Sequence, residues 1–154
     1  MTETRLDESR AGAMLATISN ALVSLHKEQF GRGPTSARAH FAGHDTLVCV
    51  MEDALLPAER MMVKMGDQQR VRESRTAFQA ATSDQFVSAV EGIVQREVNA
   101  FASATDPDSG VVWEVFNFTP DAVQGDGVKP WSRAAASHVD GADVSRNVSP
   151  TRQI

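Results

Sequence analysis

Two arginines and a histidine near one turn are the side chains of this sequence that best suit binding chemistry. Arg32 lies in the stretch Gly-Arg-Gly-Pro, and Arg38 and His40 follow shortly after it. An arginine guanidinium presents a planar fork of donors that fits a carboxylate or a phosphate. Residues two apart on a β-strand leave the same face, so Arg38 and His40 are expected to point together. We therefore predict an anion- or partner-binding face formed by Arg32, Arg38 and His40.

The same stretch also has a purely structural interpretation. Gly31, Gly33 and Pro34 follow a segment with helical periodicity, which predicts a helix end and a turn into a strand. Glycine accepts a left-handed helix end, and proline cannot continue a helix. The stretch is not a phosphate-binding loop, because it lacks the lysine and precedes a strand rather than a helix. Both interpretations stay open here. If the arginines pair within the chain, Glu59 and Glu114 are acidic partners that the sequence offers.

Patterns for catalysis or metal binding are weak. The four histidines, His26, His40, His44 and His138, lack ligand spacing, and the single cysteine, Cys49, lies in an apolar run. Burial raises the pKa of a thiol and blunts its reactivity, so Cys49 is predicted to be a small buried hydrophobe. We predict no catalytic residue, no metal, no cofactor and no enzymatic activity.

Composition limits the classes of protein that remain. The chain has 154 residues, a net charge of −5 and an apolar content of 42%, which predicts one domain with a tail. An acidic chain is a poor general binder of nucleic acid. The first residues lack an apolar signal core, and no apolar run approaches the ~18–20 residues of a membrane span. We predict a soluble, cytoplasmic protein that does not insert into a membrane.

Hydrophobic periodicity predicts helix, hairpin, short helix, long helix and hairpin, in that order. The long helices are expected over residues 8–30, with Asp7 as N-cap, and 68–95, with a weak point at 81–84. The short helix begins near Pro57 and stops at Gly66. The strands are expected over residues 35–42, 46–51, 98–105 and 111–118.

These elements predict an α+β fold, in which two hairpins form one four-stranded antiparallel sheet with the helices on one face. The apolar run of residues 46–51 indicates a strand buried on both faces, and the helices can cover only one. We therefore predict a homodimer, formed by sheet packing or by pairing of the long helices. A flat apolar sheet face would favour a protein partner, and a convergent charged pocket would favour an anionic ligand.

Two further segments stand out by composition. Residues 60–65 are rich in methionine, and we favour core filling under the short helix over an adaptable binding surface. Residues 120–154 are rich in Gly, Ser, Asp and Ala, and we predict a flexible tail in which Trp131 is the residue able to dock. Residues 1–119 are then the single folded domain.

Three stretches, FGRGPTSARAHF, LLPAER and AFQAATSDQFVSAVEGIVQREVNAFASATDPDSGVVWEVF, together resemble the MpsC-like family over residues 8–118. The resemblance implies an accessory component of a Na+-translocating, membrane-potential-generating system, and it carries no catalytic residues. We predict a non-enzymatic accessory or regulatory protein that contacts a protein partner, such as a membrane transport complex. The alternative is a sensor or enzyme for a small anionic ligand, which would use Arg32, Arg38 and His40.

Overall fold

A computed structural model describes residues 2–120, with side chains from Arg5 onward. The described chain has three helices and four strands in the predicted order. The elements are α1 (Thr2–Phe30), β1 (Ser36–Phe41), β2 (Thr46–Glu52), α2 (Pro57–Lys64), α3 (Gln68–Val94), β3 (Val98–Asp106) and β4 (Val111–Phe118). The tail prediction and Trp131 lie outside the described residues.

The four strands form one antiparallel sheet in the order β1-β2-β4-β3. The two hairpins join through β2 and β4, which are therefore the central strands. Val50 lies between Arg38 of β1 and Trp113 of β4, and Val48 lies between His40 and Val115. The predicted α+β fold and the four-stranded antiparallel sheet are confirmed.

The core lies between the sheet and the two long helices. Successive side chains of a strand alternate between faces, and in β2 and β4 every second residue is buried. Each large apolar side chain buried in this layer contributes about 1.5–3 kcal/mol. The buried residues of the layer include Ile18 and Leu22 of α1, Phe86 and Val90 of α3, Ala39 of β1, Leu47, Cys49 and Met51 of β2, and Val112, Phe116 and Phe118 of β4.

The expectation that residues 46–51 form a strand buried on both faces was wrong. Strand β2 is fully buried on one face only. Leu47, Cys49 and Met51 are buried, whereas Val48 and Val50 are half-buried on the opposite face. A continuous apolar run cannot by itself distinguish a strand covered twice from one whose second face is open.

The helix boundaries also differ from the expected ones at one end. Helix α1 begins at Thr2, so Asp7 lies within the helix and is not its N-cap. The residues before Asp7 include neither glycine nor proline, and nothing in them stops a helix. Helix α3 continues through residues 81–84, where the Thr82 hydroxyl donates to the Phe78 carbonyl at 2.8 Å inside the same helix.

The predicted turn residues occupy the expected places. Gly31 has φ +74°, and its N–H donates to the Lys27 carbonyl at 2.8 Å, which ends α1. Pro57 is the first residue of α2, where the missing N–H costs nothing. The carboxylate of Glu59 accepts from the Leu56 N–H at 2.7 Å and closes this helix start.

Candidate functional site

A buried ion pair connects α2 to α3. The Arg75 guanidinium is 6% exposed, and its Nε donates to Glu59 Oε1 at 2.6 Å while Nη2 donates to Oε2 at 2.5 Å. The same Nη2 donates to the Ala54 carbonyl at 2.8 Å. Two N–H groups of Arg75 therefore bind the two carboxylate oxygens of Glu59. This bidentate geometry best offsets the hydration that a buried ion pair loses.

His26 of α1 completes this cluster as a neutral ring. Arg75 Nη1 lies 2.9 Å from His26 Nε2, and arginine stays protonated, so Nε2 must accept. The ring proton then sits on Nδ1, which faces the Arg32 carbonyl at 3.3 Å. Burial, followed by the charge of Arg75, lowers the pKa of His26 to about 4. The ring of Phe30 stacks beneath the Arg75 guanidinium at 4.0 Å.

Glu114 lies on the inner face of β4, close to this cluster. The side chain is 4% exposed, and burial raises its pKa to about 8 against the opposing effects of the Ser103 hydrogen bond and the Arg75 charge. Its Oε2 and the Nε2 of Gln29 have no hydrogen-bond partner within residues 2–120. Both side chains line one cavity of about 20 Å³ between α1, α3 and the sheet.

Arg32, the first predicted site residue, belongs to a second network. Its Nη1 donates to the carbonyls of Asp53 at 2.6 Å and Leu55 at 3.2 Å, and its Nη2 donates to Asp53 Oδ2 at 2.6 Å. Arg60 of α2 donates to Asp53 Oδ1. The hydrogen bond from Arg32 comes first among the effects that lower the pKa of Asp53. The network holds the turn after α1 against the loop before α2.

Arg38 and His40 lie elsewhere, on the sheet. Both are exposed on the same face of β1, and the Arg38 guanidinium, 67% exposed, pairs with Glu52 Oε1 at 3.1 Å. Within residues 2–120 no hydrogen bond or ion pair joins Arg32 to either of them. The acidic partners are Asp53 and Glu52, so pairing of these arginines with Glu59 or Glu114 was wrong. An anion- or partner-binding role for the three residues stays a prediction.

The open face of the sheet is apolar at its centre. We define it as the side chains that point away from the helices. Val48 and Val50 of β2 and Trp113 and Val115 of β4 are half-buried there. Its border toward β3 is made of small exposed residues, Ala102 and Ala104, and its border toward β1 is made of Arg38 and His40.

The methionine-rich stretch lies on the surface in part. Met61 is 56% exposed and Met65 is 77% exposed, one helical turn apart at the end of α2. Core filling was therefore the wrong interpretation for these two side chains. The basic residues Arg60 and Lys64 flank them in the sequence.

Cys49 has the predicted buried position. It is fully buried in β2, and burial, assisted by the nearby charge of Glu114, raises the pKa of its thiol to about 12. Among residues 2–120, no group of three or more His, Cys, Asp or Glu side chains has the arrangement of a metal site. None of the described helices is long and apolar enough to cross a membrane.

The buried cluster was missed from sequence, although a signal for it exists. Arg75 follows the buried Val71 by four residues, and His26 follows the buried Leu22 by four, so both lie on core-facing helix stripes. A charged or titratable residue on such a stripe needs a buried partner. The sequence pattern does not show that the partner is Glu59, because Glu59 belongs to another helix.

Residues 2–120 thus form a two-layer α+β fold with an ion cluster that joins the three described helices and an open apolar sheet face. The chain belongs to the MpsC family: residues 10–119 match the family model described as Na+-translocating membrane potential-generating system. No curated protein and no solved structure matches the chain.

Proposed function

We propose that this protein is a non-enzymatic, cytoplasmic accessory factor that acts through protein–protein contacts with a Na+-translocating, membrane-potential-generating system. The link to that system rests on the family description. The observation that carries a role in protein–protein contacts is the apolar centre of the open face of the sheet, formed by Val48, Val50, Trp113 and Val115. Large apolar surfaces with a polar border mark interaction sites.

A second copy of this chain is the occupant that we propose for the open face. In a two-fold dimer, a surface meets itself, so it must be complementary to itself. The apolar centre satisfies this condition, and the border carries both signs of charge, with Arg38 and Glu52 adjacent and exposed. Arg38 of each copy can then approach Glu52 of the other. His40 borders the same surface.

For the transport system we propose a second surface, the exposed methionines Met61 and Met65 with Arg60 and Lys64. Methionine side chains are flexible and polarisable, and they adapt to varied apolar partners. Lys64 is exposed beside them, and its charge favours a partner segment that combines apolar and acidic side chains.

The non-enzymatic role is supported by how the chain uses its reactive groups. The imidazole of His26 and the carboxylate of Glu59 are both engaged with Arg75 inside the fold. The thiol of Cys49 is buried and holds its proton. These are structural uses of groups that catalysis would need accessible.

Site-specific photo-cross-linking in native cells tests the partner surface. A photoreactive residue at Met65 is expected to give a cross-link to an integral membrane subunit of the ion-translocating system. The matched control position is Glu73, exposed on α3. Cells that lack the protein are expected to lose the Na+-dependent part of their membrane potential. Equal cross-linking at both positions, or an unchanged potential, contradicts the proposal.

A further inference from the structure

A polar groove opens between α3 and β3, beside the small cavity at Glu114. The groove has a volume of about 220 Å³. Four side chains line both the groove and the inner cavity: Arg75, Gln79, Ser103 and Thr105. The groove and the cavity therefore adjoin across these side chains, and the cavity is the inner of the two.

The inner end holds two polar atoms that have no hydrogen-bond partner in the part of the chain that the structure describes. They are Gln29 Nε2, a donor, and Glu114 Oε2, and both are buried. Buried polar atoms are nearly always hydrogen-bonded, so each unpaired atom needs an explanation. A cavity of about 20 Å³ accommodates a group about the size of one water molecule.

Several polar groups around this end can donate hydrogen bonds. Gln29 offers an amide N–H, and Ser103 and Thr105 carry hydroxyls. Arg75 has five N–H groups, of which Glu59 takes two and Ala54 and His26 take one each. One N–H on Nη1 is left without a partner among residues 2–120.

Glu114 is also a donor at neutral pH, because burial raises the pKa of its carboxyl to about 8. A protonated carboxyl next to amide and guanidinium donors favours a negatively charged acceptor. At the mouth of the groove, Arg72 is exposed and makes no ion pair within residues 2–120.

We propose that the α3/β3 groove binds a small monocarboxylate, with one carboxylate oxygen between Gln29 Nε2 and Glu114 and the remainder of the molecule in the groove toward Arg72. The carboxyl of Glu114 donates to the ligand, as one acid donates to the carboxylate of another. The ligand must be small, because the cavity admits one oxygen atom and the groove outside it has a volume of about 220 Å³. This site is independent of the protein contacts proposed above.

The binding depends on pH with a definite sign. The ligand requires Glu114 to be protonated, so affinity is expected to fall as pH rises through about 8. Arg75 of α3 faces Glu114 and keeps its charge throughout this range. The other ionisable groups near Glu114 or Arg75 are His26 of α1, Glu59 of α2 and Cys49 of β2.

Acetate is the probe for the test, added to the isotope-labelled full chain at pH 6.5 and at pH 9 and followed by NMR. We expect a saturable shift of the Gln29 side-chain amide at pH 6.5, and an affinity at least tenfold lower at pH 9. Chloride at the same ionic strength is expected to give no such shift. If acetate gives no saturable shift, or if chloride or phosphate gives the same one, the proposal is overturned.

Variants locate the site. Gln29→Met removes the amide donor and is expected to lower acetate affinity at least tenfold. Arg72 is exposed, so Arg72→Gln removes no core contact. This variant is expected to lower acetate affinity several-fold. Arg70→Gln is the matched control, because Arg70 is on the same helix but pairs with Asp67 outside the groove. Equal affinity in the Arg70 and Arg72 variants, together with unchanged binding in Gln29→Met, would show that acetate binds elsewhere.

Discussion

At the residue scale, the Arg75–Glu59 pair is a contact whose loss should be costly. Its two charges are buried, so removing one leaves the other without compensation. Breaking such a pair costs about 3–5 kcal/mol, and replacing both members by apolar residues restores much of the loss. We expect Arg75→Leu to lower the free energy of unfolding by this amount, and Glu59→Leu with Arg75→Leu to recover part of it, both measured by urea denaturation.

The exposed Arg38–Glu52 pair is the control for that experiment. Exposed ion pairs contribute about 0–1 kcal/mol, because water screens them, so Arg38→Gln should change stability by less than that. This small effect is also what an interaction surface at Arg38 requires. An Arg75→Leu variant as stable as Arg38→Gln would refute the importance of the buried pair.

His26 and Glu114 give stability opposite dependences on pH. The pKa of His26 falls from 6.5 to about 4 on folding, so its contribution is lost as pH falls below 6.5. The pKa of Glu114 rises from 4.5 to about 8, so the folded chain holds a proton that the unfolded chain releases, and stability is lost as pH rises. The two effects oppose each other between pH 4.5 and 6.5, and only the second operates from 6.5 to 8.

We therefore expect the free energy of unfolding to fall between pH 6.5 and 8, by on the order of 2 kcal/mol at ~1.4 kcal/mol per pH unit. Glu114→Gln keeps the shape of the side chain and removes its titration, so this variant should lose the decline. Chemical denaturation at a series of pH values measures both. A decline of equal size in the variant would assign it to another group.

At the element scale, the end of α3 departs from the preferred helix C-terminus. Gln95 has φ +58°, the left-handed conformation that glycine adopts without strain. We expect Gln95→Gly to stabilise the protein by about 0.5–1 kcal/mol, after allowing for the greater freedom of glycine in the unfolded chain. Thermal and urea unfolding measure the gain.

Gln69→Gly is the comparison for this substitution. Gln69 lies inside the first turns of α3, where its amide donates to Glu73 at 2.9 Å. Glycine within a helix costs up to about 1 kcal/mol relative to good helix formers, and the substitution also removes the bond to Glu73, so this variant should be less stable. The same substitution is thus expected to have opposite signs at two places in one helix. A loss of stability at both positions would contradict the strain assigned to Gln95.

At the scale of the whole molecule, the open face predicts self-association. Sedimentation velocity at micromolar concentration is expected to give a dimer of the 16.6 kDa chain. Val50→Asp places a charge at the centre of the apolar face and should give a monomer, since a buried unpaired charge opposes association. Ala80→Asp, on an exposed position of α3, should leave the dimer intact. A monomeric wild-type chain excludes the dimer at that concentration.

Periodicity and turn residues in the sequence were sufficient for the order of the elements and for the antiparallel sheet. Hydrophobic spacing and turn residues involve positions close together in the chain, so a short stretch of sequence is enough to recognise them. Gly31 and Pro57 were placed correctly for this reason. The start of α1 was missed because a helix without a strong stop extends as far as its residues allow, and Asp7 offered only a weak boundary.

Only the tertiary structure decided how the charges and the apolar surfaces are used. Arg75 meets a histidine 49 residues earlier, and Arg32 meets a carboxylate 21 residues later, through turns whose directions no local pattern encodes. The helices cover one face of the sheet, and that packing leaves Val50 half-exposed and Glu114 buried. By itself, the sequence determined which elements form, because that depends on neighbours along the chain. The packing of those elements determined which side chains meet, because contact between distant residues depends on the whole fold.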